Sequence, residues 1–327
     1  MLDTFDSIKH RSVSTLSKAE RVDISVIIIS FNTKRLTNET IASVIQKTKG
    51  ITFEIIIVDN ASTDGSVQML QSLVKKYSNV RLILNKSNVG FGPGNNQGMK
   101  ISRGRYLLLL NSDTKAEGNI LGEMVLWMDA SPKAGISTCA LTFPDGRIQG
   151  TGGYFPTLPR VVTWMTFIDD LPVLGAVFKP FHPMHGLSPL GKNVGFFRKR
   201  RQMDWITGAF FMIRRDTFKD VGYFDKDYFM YVEEVDYCYR TKRAGWEIWY
   251  LPKWKIIHYG GASSTAEFPL INEVKGLKTF YKKHEPSWQF GLLRFFLKFG
   301  AFLRIFIFGI MRGRDAARTY AKIFATA

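Results

Sequence analysis

The stretch ISVIIIS at residues 24–30 decides the fold. It is an unbroken apolar run rich in β-branched side chains, which suits a strand covered on both faces, as in a parallel sheet, better than the alternation of a half-solvated strand. Working outward, Thr37–Thr48 carries Ile41, Val44 and Ile45 on one stripe and is followed by Gly50 where a helix stop is expected. EIIIVD (54–59) is a second strand, Ser66–Tyr77 a second helix, Val80–Leu84 a third strand, Asn95–Ser102 a short helix, and YLLLLN (106–111) another buried strand. Strands that alternate with helices at such short separations build βαβ units, so the chain is of the α/β class, with an open, mostly parallel sheet flanked by helices.

Beyond this half the pattern changes. From about Gly150 to Met203, prolines at 156, 159, 172, 180, 183 and 189 break any long element, and FRKRRQ (197–202) adds a basic cluster, so a loop-rich insertion is expected. Regular structure resumes with WITGAFFMIRR (205–215), a helix start within Tyr231–Arg243, and the strands WEIWYL (246–251) and KIIHYGG (255–261). A further helix is expected over Lys275–His284. Phe290–Ile310 is mostly apolar but interrupted by Arg294, Lys298 and Arg304, which favours an amphipathic helix lying in a membrane plane over one that spans, with a core helix as the bland alternative. The expected organisation is a polar N-terminal tail (1–22), a main domain (23–265) containing the insertion at about 150–203, and a helical, membrane-associating C-terminal region (266–327).

Of the 327 residues, 45% are apolar and 14% aromatic, enough to exclude disorder as the main state. Forty-five Lys and Arg against 28 Asp and Glu leave a net charge of +17, which calls for an anionic partner: nucleic acid, lipid headgroups or phosphorylated small molecules. The two cysteines, Cys139 and Cys238, match no metal-ligand spacing and read as reduced core thiols of a cytosolic protein. The polar first 23 residues contain no signal-peptide core, so export is not expected.

In open α/β sheets, ligands sit beyond the carboxyl ends of the strands, and Asn32, Asp59 and Asp113 all stand at or just past such ends. Asp59 at its strand end could accept hydrogen bonds from a nucleobase N–H or from ribose hydroxyls. VGFGPGNNQG (89–98) fits neither the dinucleotide fingerprint nor a P-loop, leaving a glycine-rich turn at a helix start whose Asn95 and Asn96 could cradle a diphosphate or a sugar, or serve only as a turn. Asp113 closes Asn111-Ser112-Asp113, where a hard divalent cation, Mg²⁺ or Mn²⁺, could bridge protein and diphosphate, and His258 is a second candidate ligand. Glu233, Glu234 and Asp236 crowd a helix start, where the dipole favours acids in any case; three carboxylates so close could also hold one acid at a raised pKa for general base work. Trp205, ahead of Thr207-Gly208-Ala209, could offer a flat face to a sugar ring or belong to the core.

Taken in order, VIIISFN (26–32), VDNASTDGS (58–66), NVGFGPGNNQG (88–98), LLLLNSDT (107–114), WITGAFFMIRR (205–215), FMYVEEVDYCYR (229–240) and IIHYGG (256–261) resemble the family-2 inverting glycosyltransferases, most of all the bacterial rhamnosyltransferases of cell-surface polysaccharide assembly. The resemblance implies a GT-A fold over about residues 23–265. It further implies a nucleotide-diphosphate sugar donor (dTDP-rhamnose or a UDP-sugar) and a glycan or polyprenyl-diphosphate-linked acceptor. It places the donor on Phe31, Asn32, Asp59, Asn88, Asn95, Asn96 and Asp113, and the metal on Asp113 with His258. The catalytic base falls on the Glu233–Glu234 pair, at Glu234, with acceptor contacts from Trp205, Gly208 and Asp236. Asn111-Ser112-Asp113 departs from the commoner Asp-x-Asp pattern by lacking the first carboxylate. Such an enzyme is expected at the inner face of the cell membrane, held peripherally by its basic tail on an anionic surface.

Two rival readings remain. A sugar nucleotidyltransferase shares the sheet type and the metal. A basic nucleic-acid binder would use Arg198–Arg201 and the tail on phosphates, but Asp59, Asp113, Glu233 and Glu234 would repel a phosphate backbone, so no nucleic-acid partner is expected.

Overall fold

The computed structural model describes residues 22–171, 173, 177–183, 194–260 and 267–327. The N-terminal tail up to residue 21, most of 172–193 and the end of the expected main domain at 261–266 lie outside these residues.

The first half alternates β1 (Ile24–Ser30), α1 (Lys34–Lys47), β2 (Phe53–Asp59), α2 (Ser66–Lys76), β3 (Val80–Leu84), α3 (Phe91–Ile101), β4 (Tyr106–Asn111), the short β5 (Thr114–Lys115), α4 (Ile120–Asp129) and β6 (Ala134–Thr142). Then come β7 (Gly152–Gly153), α5 (Leu158–Met165), β8 (Arg201–Gln202), β9 (Trp205–Ile206), β10 (Phe210–Arg214), α6 (Arg215–Val221), α7 (Glu233–Arg243) and β11 (Glu247–His258). Three helices close the chain: α8 (Glu267–His284), α9 (Ser287–Arg312) and α10 (Arg314–Thr326).

Among the described residues the main sheet has nine strands in the order β3-β2-β1-β4-β10-β6-β11-β5, with β8 also on β11. β1, β2, β3 and β4 are mutually parallel, and β6 and β11 parallel to each other, while β10 runs antiparallel between β4 and β6. The continuous apolar runs follow from this burial. Ile27 and Ile56 enter one core cluster, whereas Val26, Ile28, Ile55 and Ile57 enter the other, so both faces of the sheet are dry.

Two sequence expectations change. WEIWYL and KIIHYGG are one strand, β11, whose pairing with β6 slips between Leu251 and Lys255, so Pro252 sits at an irregularity where a missing N–H is tolerated. The expected loop-rich insertion contains the helix α5, whose Val161, Trp164 and Met165 are buried.

The C-terminal region is attached to the body, not appended to it. α9 begins after Pro286 and stops at Gly313, whose φ of +85° favours glycine and breaks the helical path. Leu293, Leu297, Ala301 and Phe308 of α9 join the main core. Arg304, read in the sequence as one cation of a membrane-facing tail, is instead buried. Its guanidinium donates to the carbonyls of Met165 (2.7 Å), Trp164 (2.8 Å) and Gly300 (3.2 Å), so it closes the C-terminal end of α5. Burial pushes its pKa down to about 10. No described helix is long and apolar enough to cross a membrane.

Candidate active site

The loops after β1 and β2 are bound to each other. Asn32, in the left-handed region at φ +54°, accepts from Thr63 N through Oδ1 at 2.8 Å, and its own N–H donates to Ser62 Oγ at 2.9 Å. Ser62 in turn donates twice to Asp59, from N (2.9 Å) and Oγ (2.7 Å). Asp59 is fully buried, so its carboxylate holds the turn and is not presented to solvent. Asn60, the next residue, reaches the rim: its Nδ2 donates to Asn88 Oδ1 (3.1 Å) and to the Gly90 carbonyl (3.2 Å).

Across the rim, the antiparallel pairing of β5 with β11 sets His258 opposite Thr114 and thereby beside Asp113. His258 Nε2 lies 3.3 Å from Asp113 Oδ1 and 3.3 Å from Asn111 Nδ2. Gln149 grips the histidine from behind, its Oε1 2.7 Å from Nδ1 and its Nε2 donating to the His258 carbonyl at 2.6 Å. Sequence reading missed Gln149 as well as Asn60.

The acids come from α7. Tyr231 (φ +69°) and Val232 (φ +71°) are both left-handed immediately before Glu233, which is costly for a β-branched residue and marks a turn held by its surroundings. The glycine-rich run supplies part of that hold: a Cβ on Gly90 would stand 2.5 Å from the Phe229 carbonyl, and Phe91 N donates to the same oxygen at 3.3 Å. The glycines therefore permit a close backbone approach. Burial pushes Glu233 well up, with the Glu234 charge adding to it, and burial pushes Glu234 up to about 7, with Glu273 contributing. Among the described residues, neither Glu233 Oε2 nor Glu234 Oε2 has a hydrogen-bond partner.

A cleft of about 590 Å³ brings these groups together. It is lined by Phe31, Asn60, Asn88, Asn111, Asp113, Gly208, Glu233, Glu234 and His258, with Phe91, Phe229, Tyr231 and Phe268 as aromatic walls. Other expected site residues stand elsewhere. Asn95 is buried and donates to the Phe91 carbonyl, and Asn96 makes a two-way bond with the Phe224 backbone at 2.8 and 2.9 Å, so neither amide is offered to a diphosphate. Asn32 lines a separate hollow with Lys34, Arg35 and Asp64. Trp205 is 6% exposed, donates to the Tyr154 carbonyl and stacks in a cluster with Phe181, so it belongs to the core. Asp236 is buried between Arg240 (2.9 Å) and His284 (2.6 Å), a structural ion pair and not an acceptor contact.

The donor set fits a divalent cation in part. Asp113 and His258 offer one hard oxygen and one imidazole nitrogen at the cleft wall. Among the described residues no group of three His, Cys, Asp or Glu gathers, so a cation held there would take its remaining ligands from substrate oxygens and water.

Residues 25–222 match the glycosyl transferase family 2 profile, and the chain belongs to that family. It is a glycosyltransferase. An N-acetylglucosaminyl-diphospho-decaprenol L-rhamnosyltransferase of Mycobacterium tuberculosis is 27% identical over 264 residues, covering 76% of this chain and 81% of the relative. Rhamnosyltransferase WbbL of Escherichia coli is 42% identical over 57 residues, 17% of this chain and 22% of that one. In fold, the chain is similar to the mannosyltransferase PcManGT of Pyrobaculum calidifontis, solved with GDP-Man and Mn²⁺ (TM-score 0.54, 14% identity, 94% of this chain and 75% of that one). It is also similar to GalNAc-T7 with UDP, GalNAc and Mn²⁺ (TM-score 0.57, 15% identity, 94% and 56%). The GT-A-like fold expected from the sequence is thus the fold found.

Proposed function

We propose that the chain moves a sugar, rhamnose in the first instance, from a nucleoside-diphosphate donor to a hydroxyl of a glycan or polyprenyl-diphosphate-linked acceptor, in a single inverting displacement that serves surface polysaccharide or cell-wall synthesis. The observation that carries the reading is the meeting, in one cleft, of the Asp113–His258 pair with the acids Glu233 and Glu234, both pushed up by burial. The rhamnosyl donor and the lipid-linked acceptor are supported by the activity for which the mycobacterial relative is named.

Phe31, Asn60 and Asn88 line the part of the cleft beside β1 and β2 and are assigned to the donor; Gly208, on the opposite lip, is assigned to the acceptor. Asp113 and His258 would hold Mg²⁺ or Mn²⁺, which when bound neutralises charge on the departing diphosphate. Glu234, only half-buried where Glu233 is 3% exposed, takes the proton of the acceptor hydroxyl. The freed oxygen bonds to the anomeric carbon as the nucleoside diphosphate leaves from the opposite face with the bonding electron pair. Glu233 lies beside Glu234 in sequence, its own pKa held up by burial and by the Glu234 charge. The expected place of work is the cytoplasmic face of the membrane, where such acceptors are presented.

The test is a transfer assay with dTDP-rhamnose and UDP-sugars against lipid-linked acceptors, with Mn²⁺ present. Release of nucleoside diphosphate and an anomeric configuration opposite to the donor's, read by NMR, are the expected results. Release of pyrophosphate instead would mark a nucleotidyltransferase.

A further inference from the structure

We propose that α9 and α10 form a two-row docking face for an anionic lipid bilayer, with an aromatic ridge that enters the interface and a basic row that meets the headgroups. On α9, Trp288, Leu292, Phe295, Phe299, Phe302, Phe306 and Ile310 are all 40% or more exposed, which is far from the fate of such side chains in a soluble surface helix. Their spacing is four, three, four, three, four and four residues. At about 100° per residue they fall within a stripe about 80° wide, and from first to last it runs about 33 Å along the helix. The opposite face of the same helix holds Leu293, Leu297, Ala301, Arg304 and Phe308 in the core, so the exposed ridge is fixed in orientation by the body of the protein.

The charge beside the ridge is mostly positive, with Asp315 paired to Arg318 at 3.6 Å. Arg294 and Lys298 flank it on one side, and both touch the end of α10: Arg294 Nε donates to the Ala327 carbonyl and Lys298 Nζ stands 5.5 Å from the Phe324 ring centre. α10 therefore runs along that border. It buries Tyr320 and Ile323 and turns Arg314, Arg318 and Lys322, four residues apart, to solvent. From Trp288 to the end of the chain Asp315 is the lone acid. A cationic row alongside Trp and Phe complements an anionic interface, and with no described helix able to span, the arrangement is that of a helix lying in the plane.

The face is independent of the transferase reading, and its test needs neither donor nor acceptor. Full-length protein is floated with vesicles of phosphatidylcholine alone and of phosphatidylcholine with phosphatidylglycerol. Binding to the anionic vesicles is expected, weakened by salt. The quadruple change Phe295→Gln, Phe299→Gln, Phe302→Gln and Phe306→Gln should lower the partition coefficient at least about hundredfold. Arg314→Gln, Arg318→Gln and Lys322→Gln together should remove the preference for anionic vesicles, at about fivefold for each charge. These side chains are exposed, so unchanged circular dichroism and melting are expected and serve as the folding control. Absence of binding by the wild-type protein, or equal binding by the quadruple variant, overturns the proposal. So does a wild-type dimer in analytical ultracentrifugation that the quadruple variant dissolves, since the ridge would then be covered by a second copy of the chain.

Discussion

Gln149 and His258 are joined at two points in a way that puts a proton on ring Nδ1. A backbone carbonyl only accepts, so the amide nitrogen of Gln149 must be the end that faces the His258 carbonyl at 2.6 Å, and its oxygen must face ring Nδ1 at 2.7 Å. Nδ1 therefore carries a proton, which leaves Nε2, on the Asp113 side, as the ring nitrogen able to offer a lone pair to a cation.

Removing that brace should weaken the proposed cation site without touching either of its proposed ligands. Gln149→Leu is expected to lower Mn²⁺ affinity about 10- to 100-fold, read by calorimetry or by free-Mn²⁺ electron paramagnetic resonance in the presence of nucleoside diphosphate. Asp113→Ala should remove metal-dependent nucleotide binding altogether. If Gln149→Leu binds Mn²⁺ as the wild type does, the brace has no part in the site.

Glu234→Gln should lower kcat about 10²- to 10⁴-fold and leave donor affinity unchanged. Glu233→Gln should leave a larger residual rate, because it alters a neighbour of the proposed base and not the base itself. Pre-steady-state rates with saturating donor separate the two, and a fully active Glu234→Gln enzyme would reassign the base.

The acid pair also makes activity and stability respond oppositely to pH. Glu234 is pushed up to about 7, so kcat/KM should rise with pH through a limb near that value. For stability the sign reverses: the folded chain holds protons on these carboxyls that the unfolded chain, with an ordinary value of 4.5, releases sooner. Stability from this source is present below about 4.5 and lost as pH rises through about 7. Glu233→Gln should therefore raise the melting temperature at pH 8 more than at pH 5, as calorimetry would show.

Gly90→Ala tests the hold on the strained turn. A methyl group there meets the Phe229 carbonyl at 2.5 Å on a backbone at φ +91°, so a loss of about 2–4 kcal/mol in denaturant unfolding is expected. The displaced Phe229–Val232 turn should lower kcat as well, since Glu233 follows it directly.

How far the sequence could be read depended on whether a residue's role is local. β1, β2 and β4 were legible because burial on both faces writes an unbroken apolar run. Asp113 and His258 were legible as rim residues, though their meeting depends on the β5–β11 pairing, which no local pattern encodes. Asp236 was grouped with Glu234 by proximity in sequence, yet residues two apart on a helix point about 200° away from each other, and that alone separates them. Asn95 and Asn96 resembled free donors because a glycine-rich turn does not reveal which way its amides face. Gln149 carried no signal: the pairing of Thr142 with Ile148 folds the chain back and leaves its side chain against β11.

The Arg304 side chain makes the last two helices inseparable from the rest of the protein. A guanidinium that donates to the Met165 and Trp164 carbonyls inside the core cannot be cut away without leaving those two oxygens bare, so trimming the chain after α8 should yield an insoluble product and not a detached, freely diffusing enzyme. A chain built this way cannot exchange its C-terminal helices for another segment by simple fusion; changes to that region would have to proceed one surface side chain at a time.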